Sequence, residues 1–208
     1  MNVLIFLGGE KPSMKLAQHV ARDCALIIAA DSGYHAAMDN DVVPHILTGD
    51  FDSIGVKNIE GSFEVITAKE QNATDFEKSL RHLPEDISSI QILGGTGLRS
   101  DHFLTNLLIA SGLRRDLPVV FHDDTQSLYR VTKHCHFKKE LAPGTTISLI
   151  PFSKCNRVST EGLHWNLQDA DMGPTRQLGQ SNRIDNPNVR ISVKSGYLYV
   201  VVNRPTCS

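Results

Sequence analysis

Ala25-Leu26-Ile27-Ile28-Ala29-Ala30-Asp31-Ser32-Gly33 sets six apolar residues in a row before an acid, a hydroxyl and a turn-forming glycine. A strand with one wet face alternates apolar and polar residues. This run does not alternate, so it predicts a strand buried on both faces, the condition of a parallel sheet covered by helices. Working outward, Val3 to Leu7, His45 to Thr48, Phe63 to Ile66, Ile90 to Leu93 and Val119 to His122 are further short apolar runs. Between them, Ser13 to Arg22, Asp75 to Leu83 and Asp101 to Leu113 carry apolar residues at three- and four-residue spacing, which predicts helices. Thr74-Asp75-Phe76-Glu77 spells a capping box and fixes one helix start.

Beyond Gln126 the helical periods fade. Thr145 to Ile150, Arg157 to Thr160, Val189 to Val193 and Tyr197 to Val202 predict strands separated by Gly, Pro and Asn turns. The expected organisation is therefore α/β: an N-terminal parallel-sheet, Rossmann-like α/β/α domain over residues 1–124, then a C-terminal all-β sandwich domain over residues 125–208. With 208 residues the chain is long enough for either one large domain or two small ones. Acidic residues (23) and Lys plus Arg (21) nearly balance, and no basic stripe stands out, so nucleic acid is not an expected partner. No apolar stretch approaches the roughly 18 residues of a membrane span. The start, Met1 to Leu7, lacks the form of a secretory signal, and a cytoplasmic protein is expected. The four cysteines, Cys24, Cys135, Cys155 and Cys207, form no Cys-x-x-Cys pair and are expected to be free thiols. His134-Cys135-His136 looks metal-like, but strand neighbours point to opposite faces and no second ligand pair accompanies it. Trp165, the single tryptophan, is expected in the core of the β half, with stacking on a substrate ring as the alternative.

Ligands of open parallel sheets bind beyond the carboxyl ends of the strands. Here those ends carry Asp31-Ser32-Gly33, Gly49-Asp50-Phe51-Asp52-Ser53, and Gly94-Gly95-Thr96-Gly97-Leu98-Arg99-Ser100-Asp101-His102. In an extended chain the side chains of Asp50 and Asp52 share a face with Cα atoms about 6.6 Å apart, close enough to address one metal centre. Crowded carboxylates repel, and a divalent cation removes that cost. Oxygen-only ligands select a hard ion. Mg²⁺ fits, because it commonly combines a few carboxylates with substrate phosphates, so the metal implies a phosphate substrate. The plain alternative is that these aspartates cap helices and close turns, and Asp75 has that role in its capping box. The glycine segment Gly94 to Gly97 can bring backbone N–H groups to phosphate oxygens, with Arg99 as a bidentate cation, although it matches neither common phosphate-loop motif. Lys69 is either a phosphate contact or a solvated surface lysine. His102 is expected to be structural.

At these residues the chain resembles the bacterial branch of the thiamine pyrophosphokinase family. The family's pattern is met in order by Ala30-Asp31-Ser32-Gly33, Gly49 to Ser53, Lys69-Glu70 with Thr74-Asp75-Phe76-Glu77, and Gly94 to His102 followed by Asn106. In the second half, Ser148-Leu149-Ile150-Pro151, Thr160-Glu161-Gly162-Leu163 and Ser181-Asn182 resemble the family's thiamine-binding domain. Ser32 and Leu98 stand where the family commonly has glycine, and the spacing from Lys69 to Thr74 is longer than usual. The resemblance implies an enzyme that moves the diphosphate of ATP onto the hydroxyl of thiamine, giving thiamine diphosphate and AMP. It implies Asp31, Asp50, Asp52 and Asp75 as holders of Mg²⁺, the last three catalytic, and Asp31, Ser32, Gly33, Lys69, Thr74, Gly97 and Arg99 around the ATP phosphates. Asp101, Gln71, Ser181 and Asn182 would then face thiamine, in a homodimer whose thiamine sites lie between protomers.

Three other functions share parts of the pattern. A haloacid-dehalogenase-type phosphatase places its paired aspartates on the first strand before Gly-Thr, which this chain does not. A pyrophosphokinase acting on a pterin or another alcohol, and a nucleotide- or thiamine-binding sensor without activity, remain compatible with the acidic site.

Overall fold

A computed structural model describes residues 1–51, 63–68 and 72–204. Asp52, Ser53, Lys69, Gln71 and Cys207 lie outside the described residues. The fold is mixed α/β, with a large sheet and a second, four-stranded antiparallel sheet. Contacts divide the chain into two units, Met1–Gly112 with Phe121–Asp124, and Leu113–Val120 with Thr125–Ser208.

The first unit runs β1 (Asn2–Phe6), α1 (Met14–Ala21), β2 (Leu26–Ala30), α2 (Gly33–Met38), β3 (Ile46–Gly49), β4 (Glu64–Thr67), α3 (Asp75–Leu80), β5 (Ser89–Leu93) and α4 (Ser100–Gly112), then reaches β6 (Val119–His122). Its strands lie in the order β6-β5-β1-β2-β3-β4. The pairs β1–β2, β1–β5, β2–β3 and β3–β4 are parallel. As the unbroken apolar runs predict, Val3, Leu4, Ile5 and Phe6 of β1 and Ile28, Ala29 and Ala30 of β2 are fully buried, so successive side chains are covered on both faces. Leu4, Phe6, Ile27 and Ala29 share one cluster with Leu16, Ala17 and Val20 of α1 and Ala36 and Ala37 of α2. β4 is the exception, an edge strand with Val65 exposed.

Helix starts follow the sequence where a cap exists. The Ser13 hydroxyl accepts from the Leu16 amide and donates to Asp124. Thr74 and Glu77 form the expected capping box, the Thr74 amide donating to Glu77 Oε2 at 2.8 Å and the Glu77 amide to Thr74 Oγ1 at 3.2 Å. α2 was not apparent in the sequence. It has no side-chain cap, and a Cβ on Gly33 would stand 2.3 Å from the Phe6 carbonyl oxygen, so the helix is placed by close approach to β1.

In the second unit β7 (Gln126–Thr132), β8 (Phe137–Glu140), β9 (Thr146–Pro151), β10 (Cys155–Glu161), β11 (Ala170–Met172), β12 (Gly179–Arg183), β13 (Asn188–Ser192) and β14 (Tyr197–Asn203) follow. They pair antiparallel in the orders β12-β9-β14-β7 and β11-β10-β13-β8. Val131, Ile147, Leu149, Leu198 and Val200 from the first order pack with Phe137, Val158, Met172, Val189 and Ile191 from the second in one apolar cluster. The buried Arg130 guanidinium donates to the carbonyls of Leu113, Arg114 and Leu117, which ties the segment before β6 to this unit. No described helix is long and apolar enough to cross a membrane.

Candidate active site

The strand order reverses at β1: the chain steps outward through β2, β3 and β4 and then returns to place β5 on the other side. At such a switch point the loops after neighbouring strands diverge and leave a crevice. The first unit holds a cavity of about 580 Å³ there, lined by Leu7, Gly8 and Gly9 after β1, Asp31 and Ser32 after β2, and Gly94 to Gly97 after β5. Thr74 and Asp75 at the start of α3, and Arg99, Asp101, His102 and Asn106 around the start of α4, are also part of the wall.

Two of these loops are zipped together by their backbones. The Leu7, Gly9 and Glu10 amides donate to the carbonyls of Leu93, Gly94 and Thr96 at 2.8, 2.7 and 2.9 Å. A Cβ on Gly9 would lie 2.3 Å from the Gly94 oxygen, so glycine is required for this approach. The Asn106 amide donates to the Gly95 carbonyl at 3.1 Å and anchors the second loop to α4. Gly8 and Gly9 are site residues that the sequence reading missed, whereas Asn106 entered it only as the last residue of the family pattern. Gly8-Gly9 follows the first apolar run, and the same strand-end rule that finds Asp31 would have found it.

Among the expected phosphate contacts, Asp31, Ser32, Thr74, Gly97 and Arg99 line the cavity, whereas Gly33 is absent from its wall and packs against β1. Asp31 has φ 44°, a left-handed conformation that Asp tolerates better than most residues. Leu98, in a position where glycine is common in the family the chain resembles, has φ 51° and is exposed, which is the physical reason for that glycine.

Asp50 and Asp75 converge on one cation. Lys78 Nζ lies 3.2 Å from Asp75 Oδ1 and 3.5 Å from Asp50 Oδ2. Burial pulls the Lys78 ammonium towards deprotonation, but its bond to Asp75 and the charges of Asp75 and Asp50 outweigh that and hold its pKa above the ordinary lysine value. The spacing of Lys78, one helical turn after Asp75, was the available signal for it. Arg99 and Asp101 are joined in a bidentate pair, Nε to Oδ1 at 3.1 Å and NH2 to Oδ2 at 2.6 Å. Chiefly through that bond, the Asp101 pKa falls to about 2.

Whether Mg²⁺ suits these residues is a question of donor chemistry. Asp31, Asp50 and Asp75 offer only carboxylate oxygens, the donors a hard divalent ion takes, and Asp31 and Asp75 open on the same cavity. The set fits. Among the described residues no three acidic, His or Cys side chains are gathered tightly enough to hold an ion by themselves, and Asp52 lies outside them.

The second unit has its own cavity of about 210 Å³, lined by Leu149, Thr160, Leu163, Trp165, Leu178 and Asn182 among others. Trp165 is not a core residue: it is 63% exposed on the cavity rim. Its main chain is fixed by Asn182, whose Oδ1 accepts from the Trp165 amide at 3.2 Å and whose Nδ2 donates to the Trp165 carbonyl at 2.8 Å. A polar clamp on the backbone leaves the indole outside, which the count of apolar residues alone does not reveal. Ser181 is exposed, with φ 55°, and its amide donates to Ser148 Oγ at 2.9 Å.

Residues 17–121 match the family described as thiamin pyrophosphokinase, catalytic domain, and residues 133–198 the family described as thiamin pyrophosphokinase, vitamin B1 binding domain. The thiamine pyrophosphokinase of Bacillus subtilis (strain 168) is 25% identical over 206 residues, covering 95% of this chain and 96% of that protein. Thiamine pyrophosphokinase 1 of Oryza sativa subsp. japonica is 27% identical over 173 residues, 76% of this chain, which spans 66% of the rice protein. The crystal structure of the Bacillus subtilis thiamine pyrophosphokinase superposes with a TM-score of 0.83 at 24% identity, over 99% of this chain and 100% of that one. The Candida albicans thiamin pyrophosphokinase superposes with a TM-score of 0.81 at 18% identity, over 97% and 89% of the two chains.

Proposed function

The chain belongs to the thiamin pyrophosphokinase family, and from that premise we propose that it transfers the diphosphate of ATP to the hydroxyl of thiamine, releasing AMP. The observation that carries this reading is the cavity at the switch point, where glycine-rich loops, Arg99 and the carboxylates of Asp31, Asp75 and Asp101 line one space. Glycines without Cβ atoms let the two loops approach each other closely, and the backbone N–H groups of such loops suit phosphate oxygens. Arg99 supplies its guanidinium to the transferring group once it leaves Asp101. Asp31, Asp50 and Asp75, with Asp52, would hold Mg²⁺, which when bound offsets the charge of the moving diphosphate and the departing AMP. The remaining task is positioning: the thiamine hydroxyl must be held in line with the β-phosphorus. Ser32, Thr74 and Gly97 frame the phosphate end of the cavity, with Lys69 and Gly33 as neighbours in the sequence motifs, and Asp101 and Gln71 serve the acceptor.

In the second unit, Ser181 and Asn182 belong to the thiamine-binding element in this reading, Asn182 by holding the Trp165 main chain at the rim of the smaller cavity. We further read the first unit as a Rossmann-like α/β/α layer, the second as a β-sandwich, and the active form as a cytoplasmic homodimer with shared sites. Support for the last comes from the division of labour, since no residue lining the switch-point cavity belongs to the second unit, and for the compartment from the free thiols of Cys24, Cys135 and Cys155.

Incubation of the purified protein with Mg²⁺, ATP and thiamine tests the reaction. Mass spectrometry should show thiamine diphosphate and AMP together, both dependent on thiamine. Thiamine monophosphate as the product, or ADP as the spent nucleotide, would refute the assignment.

A further inference from the structure

Lys78 is a cation set on the protein side of an acidic edge. Its side chain is 4% exposed, while those of Asp50 and Asp75 are 35% and 41% exposed, so the carboxylates reach outward past an ammonium that does not. Burying a lysine is costly unless it is paired, and here two acids from different elements do the pairing, Asp50 after β3 and Asp75 on α3. Any divalent ion that these carboxylates bind therefore meets a fixed positive charge close behind them. Partial burial weakens solvent screening of that charge. A bare divalent ion suffers the full repulsion. An ion that arrives with nucleotide phosphates suffers less, because the phosphates bring negative charge to the same place.

We propose that Lys78 sets the charge of the metal site, holding Asp50 and Asp75 in place while keeping them from binding a free divalent cation tightly, so that the metal is taken up together with the nucleotide. The inference rests on the Mg²⁺ reading above and adds to it an order of events. Lys78 is a positioning residue in this scheme and transfers no proton.

Binding of Mn²⁺ to the metal-stripped full chain, followed by the electron paramagnetic resonance signal of free Mn²⁺, tests it without reference to turnover. Titrations are run alone and with α,β-methylene-ATP, in which the bond to be broken is blocked; because the analogue chelates Mn²⁺ itself, binding to the protein is taken as the loss of free Mn²⁺ beyond that in a protein-free titration with the same analogue. Wild type should bind Mn²⁺ weakly alone and more tightly with the analogue. Lys78→Met keeps the apolar stem and removes the charge; it should bind Mn²⁺ alone at least about tenfold more tightly and lose most of the gain from the analogue. Lys78→Arg should behave as wild type. Lys78→Gln, with melting curves on every variant, gives the same comparison if the methionine does not fold. Unchanged or weaker Mn²⁺ binding by folded Lys78→Met or Lys78→Gln overturns the charge-setting role and leaves the metal reading standing. Failure of wild type to bind Mn²⁺ even with the analogue overturns both.

Discussion

Gly9→Ala tests whether the zipped loops build the phosphate end of the cavity. The new Cβ would lie 2.3 Å from the Gly94 oxygen and 2.5 Å from the Thr96 oxygen, both backbone atoms that cannot swing aside. Reaching an ordinary contact of about 3.4 Å requires the loops to part by about 1 Å. The Gly9 to Gly94 hydrogen bond, 2.7 Å in the structure, then opens beyond bonding distance. Losing that bond costs about 1 kcal/mol and the overpacking about 1–3 kcal/mol, together about 2–4 kcal/mol. For a chain of this size the melting temperature should fall by about 5–15 °C. Gly9 and Gly94 both line the cavity, so the KM for ATP should rise as well. Gly112→Ala is the control: nothing lies within 4 Å of its added Cβ, and alanine is the better helix former there. Thermal melts and initial rates at varied ATP decide. A Gly9→Ala protein that melts with Gly112→Ala and keeps its KM would refute the reasoning.

Cys24 should resist alkylation in the native protein: burial, with help from the charge of Asp23, raises its pKa from an ordinary 9.0 to about 11, so at pH 8 iodoacetamide should modify it about 10²-fold more slowly than in urea. Because the folded value is the higher one, the thiol's contribution to stability is full below pH 9.0 and is lost as pH rises through about 11; equal native and denatured labelling rates would contradict this. For the dimer, a variant altered at Ser181 and Asn182 and one altered at Asp50 and Asp75 should each be inactive alone. After protomer exchange their equal mixture should recover about one quarter of wild-type activity, the share of intact sites under random pairing. No recovery despite demonstrated exchange would place each site within one chain.

The parallel strands were legible because a doubly covered strand needs an apolar run: β1 and β2 have an unbroken one, and β5 is interrupted only by Gln91 between Ile90 and Ile92. The capped helices α1 and α3 were legible for an equally local reason, since Ser13 and Thr74 act within three residues of themselves. What escaped depends on partners far along the chain. α2 is six residues long without a side-chain cap, and the close seat of Gly33 on Phe6 places it. β7 carries Gln126 and Arg130, polar residues that argue against a buried strand until the carbonyls of Leu113, Arg114 and Leu117 receive the guanidinium. Trp165 was expected inside because tryptophan carries much apolar surface, but its position follows from the Asn182 side chain 17 residues away.

The candidate site shows the same division between local and distant causes. Strand-end acids and the glycine segment were visible because each obeys a rule about where ligands bind. Their charge balance was not visible. Among the described residues, two cations beside the acids are already paired in the folded chain, Lys78 to Asp75 three residues before it and Arg99 to Asp101 two residues after it. The two pairs differ in exposure, and exposure decides what a ligand can do with them. The Arg99–Asp101 pair is mostly in solvent, where such a pair is worth little, so an incoming phosphate can take the guanidinium and free the carboxylate for a second ligand. Lys78 is enclosed, and exchanging its partners would strand a buried ammonium. One cation is therefore available for transfer to substrate, and the other is held as part of the site's fixed field.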